Sequence, residues 1–255
     1  EEPVVSGERG SGAVFFSGCN LHCVFCQNYA ISAGRVGREI SVARLREIYR
    51  ELAAQGAHNL NLVTPTHYAE AVLESLEPQP PLPVVYNGNG YERVETLRRF
   101  AGKVQVWLPD LKYADAALAA RYSGAADYFP VATAAIREMF RQTGPFRLGP
   151  DGTLARGVVI RHLVLPGCLD NSRAVIDWVA ANFRPGEVMF SLMRQYLPCG
   201  RVPNGEFPEL NRRVSDEEYA AVCDHLYSTP IEDGFVQDDE AAASDFIPVF
   251  DGSGV

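Results

Sequence analysis

The amino-acid sequence predicts an α/β fold, an open partial (β/α)6 barrel in a single domain. Short apolar runs alternate with longer amphipathic stretches, the pattern of βα units around a parallel sheet. The chain has 255 residues, 47% of them apolar, a length and core-forming capacity that α/β barrels reach as one unit. The strand–helix pairs number about six, too few to close an eight-stranded barrel.

Taken in order, Ala13–Ser17 is the first strand. Ser41 caps a helix with Val42, Leu45, Ile48, Tyr49 and Leu52 on one face and Gly56 past its end. Leu60–Val63 is the second strand, followed by a helix over Thr66–Leu76. The rigid Pro78–Pro83 segment leads into strand Val84–Tyr86, then helix Glu92–Phe100 and strand Val104–Leu108. Asp115–Arg141 is helical, as one broken helix or two. Strand Val158–Leu165 precedes helix Ser172–Asn182, and Val188–Met193 is the last barrel strand. Ser215 caps a final helix, Asp216–Tyr227, with Glu217 and Glu218 near its positive end. Residues 1–12 thus read as a leader, 13–196 as the partial barrel, and 197–255 as a helix and tail that close it. Residues 205–213 and 237–255 read as irregular, with the acidic Asp238-Asp239-Glu240 run a solvated surface.

Charge and hydropathy exclude several classes of function. A net charge of −9 argues against broad capture of nucleic acid, which needs clustered positive charge. No apolar run approaches the roughly 20 residues of a membrane-spanning helix. The amino terminus lacks the layout of a secretory signal, which points to the cytoplasm. Of 23 basic residues only Lys103 and Lys112 are lysine, so each of these two draws attention.

Three of the six cysteines, Cys19, Cys23 and Cys26, fall in the segment after the first strand with the spacing C-x3-C-x2-C. Such clustering in a long chain suggests a metal rather than a disulfide framework. Thiolate sulfur is the ligand of iron–sulfur clusters, and three thiolates leave one iron of a four-iron cube open to a non-protein ligand. Gly18 and Asn20 suit a turn-rich loop that aims three sulfurs inward. Two other readings stand beside this one. The spacing i, i+4, i+7 also fits one face of a helix, hence three core cysteines. A structural zinc site could add His22 as fourth ligand, making the chain a non-catalytic binding module.

With Phe25 as the aromatic residue before the third cysteine, the motif resembles the signature of the radical S-adenosylmethionine (SAM) superfamily, especially the pyruvate formate-lyase activating enzyme and its uncharacterised relatives. The similarity runs from Gly12 to the carboxyl terminus. It implies a [4Fe–4S] cluster and SAM as cofactors, with SAM chelating the open iron. It also implies an electron donor such as flavodoxin or ferredoxin. The implied activity is reductive cleavage of SAM to a 5′-deoxyadenosyl radical that abstracts hydrogen. The substrate would be a glycine on a partner enzyme, or else a small molecule or peptide. Relatives often carry a further cysteine-rich segment ahead of the part matching Glu1, which allows a native chain extending before it.

The resemblance also places site residues. Asn87-Gly88-Asn89-Gly90 resembles the family's Thr-Asn-Gly turn, implying a role for Asn89, although a plain glycine turn reads as well. Asp110-Leu111-Lys112 matches an Asp-Leu-Lys segment near the SAM methionine group or ribose; a surface ion pair is the plainer reading. Arg161–Gly167 resembles a strand segment whose apolar residues pack on adenine, a role for Val164 or Leu165. His162 stands where the family has tyrosine and reads as a satisfied strand histidine. Where many relatives have a Gly-Gly-Glu-like segment, this chain has Thr64-Pro65-Thr66-His67. Thr64 and Thr66 are the expected SAM contacts, and His67 could instead cap the following helix. Gln195, Tyr196, Cys199 and Arg201 are expected to face substrate at the lateral opening of the barrel. Cys168 and Cys223 read as incidental.

Overall fold

The computed structural model describes residues 2–34, 36–237 and 250. Its first half runs α1 (Pro3–Ser6), β1 (Gly12–Phe15), α2 (Tyr29–Ser32), α3 (Val42–Ala54), β2 (Leu60–Val63), α4 (Ala69–Ser75), β3 (Val84–Gly88), α5 (Val94–Arg99) and β4 (Val106–Pro109). The second half runs α6 (Ala116–Ser123), α7 (Tyr128–Thr143), β5 (Arg147–Leu148), β6 (Leu154–Leu163), α8 (Leu169–Asn182), β7 (Met189–Met193), α9 (Asp216–Tyr227) and β8 (Gly234–Val236).

The sheet order is β1-β2-β3-β4-β6-β7-β8, every neighbour parallel, with β5 lying antiparallel on β6. Spatial order follows chain order, so each strand is laid beside the last and the sheet grows from β1 toward β8. Among the described residues these two edges do not pair, and the barrel stays open. Val188–Met193 is therefore not the last strand: β8 adds a further parallel one, pairing Phe190 with Gly234 and Leu192 with Val236. Its three residues are too few to show alternation. The stretch from Asp115 to Arg141 is two helices, parted at Gly124.

Alternation along the strands builds two cores. Outward residues such as Leu60, Leu62, Val84, Tyr86, Trp107, Val158, Ile160, Phe190 and Leu192 pack under the helices in the main apolar cluster. Inward residues Val85, Val106, Leu108, Val159 and Met189 form a second cluster, which Val4 and Val5 of α1 close from below. The leader is thus a plug, tied on by Asn59 Nδ2 donating to Val5 O at 2.7 Å. Helix ends follow the sequence. Ser41 Oγ accepts from Arg44 N at 3.1 Å, and Ser215 with Glu218 forms a reciprocal capping box on α9. The acidic 238–240 run and residues 241–249 and 251–255 lie outside the described residues.

Candidate functional site

Beyond Phe15 the chain leaves β1 and crosses the carboxyl end of the barrel as an irregular loop. The helical reading of the three cysteines fails here, because residues 18–28 form no helix. Each sulfur has a side-chain donor. Asn89 Nδ2, at the end of β3, reaches Cys19 Sγ at 3.4 Å and Asn20 Oδ1 at 2.7 Å. Asn20 Nδ2 in turn donates to Tyr91 O at 2.7 Å. Ser123 Oγ, at the end of α6, donates to Cys23 Sγ at 2.9 Å, and Ser32 Oγ donates to Cys26 Sγ at 3.2 Å. The last carbonyls of α6 also bind the loop, Tyr122 O taking Val24 N at 2.9 Å and Ser123 O taking His22 N at 3.3 Å. His67 does not cap α4; its Nε2 meets Ser17 O at 2.7 Å, where the loop begins.

The four residues expected to face substrate all lie against this loop. Gln195 O accepts from Gln27 Nε2 at 3.2 Å, and Tyr196 sets its ring edge-on to Phe25 at 6.0 Å. Cys199 Sγ donates to Phe25 O at 3.0 Å, and Arg201 N donates to Val24 O at 2.7 Å. Gly200 makes that approach possible, since a Cβ there would lie 2.5 Å from Val24 O. Tyr196 is buried with its hydroxyl on Leu210 O, and the Arg201 guanidinium pairs with Glu206. Burial pushes the Cys199 thiol up to about 11. Residues 195–201 therefore clasp the cysteine loop.

Beside the loop, the barrel interior turns polar. Asp110 lies between Lys112 Nζ, on its Oδ2, and Arg161, whose Nε approaches Oδ1 at 3.0 Å. Arg161 Nη2 also donates to Asn87 Oδ1 at 2.6 Å. The pair is no surface ion pair, for the side chains of Asp110 and Lys112 are only 15% and 17% exposed. Burial alone would raise the Asp110 carboxyl, but the charges of Arg161 and Lys112 outweigh it and hold the group below its usual range. Lys112 is likewise held above its usual value: burial would lower it, and Asp110 followed by Cys23 reverses the sign. Gly90 lets β3 and β4 converge here, because a Cβ at that position would lie 2.2 Å from Asp110 O.

Thr64, at the end of β2, is the one described non-glycine residue with positive φ, at 56°. Its N–H donates to Asn87 O at 2.8 Å, which ties this uncommon conformation to the same polar layer. Thr66 Oγ1 donates to Glu92, a buried carboxyl that sequence reasoning passed over. Val164 and Leu165 are buried directly after β6. His162 is buried and neutral: Nδ1 meets Leu111 O at 2.7 Å, Nε2 meets Ser172 Oγ at 2.9 Å, and burial pushes its pKa down to about 4. Cys168 lies in the core and Cys223 on α9. Ser32, Ser123 and Glu92 were missed because nothing in their local pattern separates them from ordinary polar residues.

The donor set suits a multi-iron cluster better than one zinc ion. Zinc thiolates all stand about 2.3 Å from a single metal. Among the described residues, no three His, Cys, Asp or Glu side chains converge on one ion, and His22 is exposed. Ligands of a cube sit on separate irons and stand farther apart, and hydrogen-bond donors aimed at each sulfur suit thiolates.

In fold the chain, an open parallel barrel with three cysteines on the loop after its first strand, resembles solved radical SAM enzymes. Residues 5–77 match the family described as a 4Fe-4S single cluster domain. An uncharacterized protein of Methanocaldococcus jannaschii is 30% identical over 220 residues, 82% of this chain and 59% of that protein. The chain thus spans somewhat over half the length of that relative. Among solved structures, SuiB of Streptococcus suis bound to its precursor peptide SuiA superposes with a TM-score of 0.60 at 11% identity, over 89% of this chain and 48% of SuiB. A domain of the pyruvate-formate lyase-activating enzyme from Bacteroides vulgatus gives a TM-score of 0.51 at 13% identity, over 71% of this chain and 99% of that domain.

Proposed function

We propose that the chain is a radical SAM enzyme in which Cys19, Cys23 and Cys26 hold three irons of a [4Fe–4S] cluster and SAM takes the fourth. The observation that carries this reading is the juxtaposition of the three donor-capped cysteines with a half-buried group of two cations on one carboxylate. Such a group offers cationic hydrogen-bond donors of the kind that bind the carboxylate of SAM. When bound, the cluster and SAM supply one-electron reductive cleavage of the sulfonium, giving methionine and a 5′-deoxyadenosyl radical that abstracts hydrogen. The protein's own share is to bind, orient and exclude water.

In this reading Lys112 and Arg161 receive the SAM carboxylate while Asp110 fixes both cations. Thr64, Thr66 and Asn89 offer backbone and hydroxyl groups to the methionine end, Val164 and Leu165 pack on adenine, and Phe25 walls the site behind the cluster loop. The enzyme works in the cytoplasm with a low-potential donor such as flavodoxin or ferredoxin. Its substrate is a glycine on a partner enzyme, admitted where β1 and β8 leave the barrel open. The fold shared with the pyruvate-formate lyase-activating domain supports this by analogy. A peptide is the second candidate, by analogy with peptide-bound SuiB.

Anaerobically reconstituted protein, given SAM and a one-electron reductant, should release 5′-deoxyadenosine and methionine. Replacing Cys19, Cys23 or Cys26 by alanine should abolish that release along with the cluster. A protein carrying four irons that leaves SAM intact would end the reading. Deuterium passing from a glycine-labelled partner enzyme into 5′-deoxyadenosine would identify the substrate class.

A further inference from the structure

The three sulfurs of the loop are served unequally. Asn89, the donor on Cys19, also serves Asn20, and Ser32, the donor on Cys26, is half-buried. Cys23 instead ends a chain of two deeply buried hydroxyls, Tyr113 at 0% and Ser123 at 1% exposure. The tyrosine oxygen lies 2.8 Å from Ser123 Oγ, which lies 2.9 Å from Cys23 Sγ.

Proton counting gives the chain a direction. Each hydroxyl has one proton, and a thiolate bound to iron can only accept. Ser123 must therefore give its proton to the sulfur, which leaves its oxygen to accept from Tyr113. Both hydroxyls are then satisfied, whereas a buried hydroxyl left unpaired costs about 1–3 kcal/mol. The geometry is pinned from the backbone as well, because Tyr122 O and Ser123 O hold the loop on either side of Cys23. The Tyr113 ring packs edge-on against Tyr128 at 5.4 Å, and the Tyr128 hydroxyl is spanned by Asn89 O and Asp110 O at 2.8 Å each.

We propose that Tyr113 and Ser123 form a hydrogen-bond relay that stabilises negative charge on Cys23 and so raises the reduction potential of the cluster. The proposal rests on the cluster reading above and deepens it. Reduction adds one electron to the cluster, part of whose charge falls on the cysteine sulfurs. A donor aimed at sulfur in a dry site favours the reduced form more than the oxidised one, and hydrogen bonds to sulfur are among the determinants of cluster potential. The two residues are positioning residues, since Tyr113 acts through Ser123 and Ser123 through its ligand.

The test is a redox titration followed by electron paramagnetic resonance on anaerobically reconstituted full chain, with wild type, Ser123→Ala and Tyr113→Phe compared. Ser123→Ala should make reduction about tenfold less favourable, a midpoint about 59 mV lower for a one-electron couple. Tyr113→Phe, which removes one oxygen and leaves the ring, should shift it the same way by about twofold to threefold, since Ser123 keeps its proton for the sulfur. Iron content should match wild type in both. Iron-loaded variants with the wild-type midpoint would overturn the relay and leave the cluster standing. Should Ser123→Ala lose its iron, the midpoint of Tyr113→Phe decides. A wild-type chain without four irons would remove the cluster reading and the relay with it.

Discussion

The two ends of the barrel are made by the same strands and have opposite characters. Along the inner face of β3, Val85 is followed two residues on by Asn87 and then Asn89. On β4, Val106 and Leu108 give way to Asp110, and on β6 Val159 gives way to Arg161. Two-residue steps keep side chains on one face, so each strand passes from core to chemistry within about 7 Å. The lower end is an apolar plug closed by Val4 and Val5. The upper end gathers the cysteines, a carboxylate between two cations, and the positive φ of Thr64. Stability and chemistry are thereby separated along the barrel axis, which lets the upper end hold costly groups.

The sharpest way to break this comparison is to damage one end and measure the other. Lys112→Ala should leave the iron content unchanged and weaken SAM binding ten- to a hundredfold, about 1.4–2.7 kcal/mol, as read by equilibrium binding. Losing the lysine removes one of the two cations that hold Asp110 and with it a donor for the carboxylate of SAM. Unchanged SAM affinity would take Lys112 out of the site. Val85→Ala should do the reverse, lowering unfolding free energy by about 2 kcal/mol in urea with SAM affinity preserved. Loss of SAM binding at wild-type stability would show that the ends are not separate.

The sequence made some of this legible. Leu60–Val63 appears as a strand with the same bounds, and Ser41 and Ser215 cap the helices they were expected to open. Local periodicity and capping chemistry write these features directly into neighbouring residues. The cysteine loop was legible from its spacing, and Asp110 with Lys112 from the resemblance of their segment to an Asp-Leu-Lys motif, aided by the scarcity of lysine. The clasp of residues 195–201 on Val24–Gln27 was not legible, because backbone groups carry much of it and a backbone contact has no side-chain pattern. Arg201 binds Val24 through its N–H, while its guanidinium pairs with Glu206. Ser123 is a hundred residues from Cys23, so only the path of α6 over the barrel brings them together. The short α1 and β8 offer too few residues for any period to show.

Glu92 gives the smallest and most specific test of how the upper end holds a costly group. The residue follows the turn after β3 and is 1% exposed. Oε1 accepts from Thr66 Oγ1, while Oε2 has no hydrogen-bond partner among the described residues. Burial, opposed by the Thr66 hydrogen bond, raises its pKa from 4.5 to about 7. Between those values the folded protein holds a proton that the unfolded chain has released. Stability from this group is therefore intact below pH 4.5, falls as pH rises, and is fully lost above pH 7. Glutamine cannot ionise, so Glu92→Gln should match wild type near pH 4.5 and exceed it at pH 8 by about 1 kcal/mol in urea unfolding. The gain falls short of a full conversion of the shift because an ionised carboxylate can draw in water. A difference between the two proteins that stays constant from pH 5 to pH 8 would mean that Glu92 is already ionised in the fold. The strained loop around Thr64 would then rest on a charge rather than on a neutral acid.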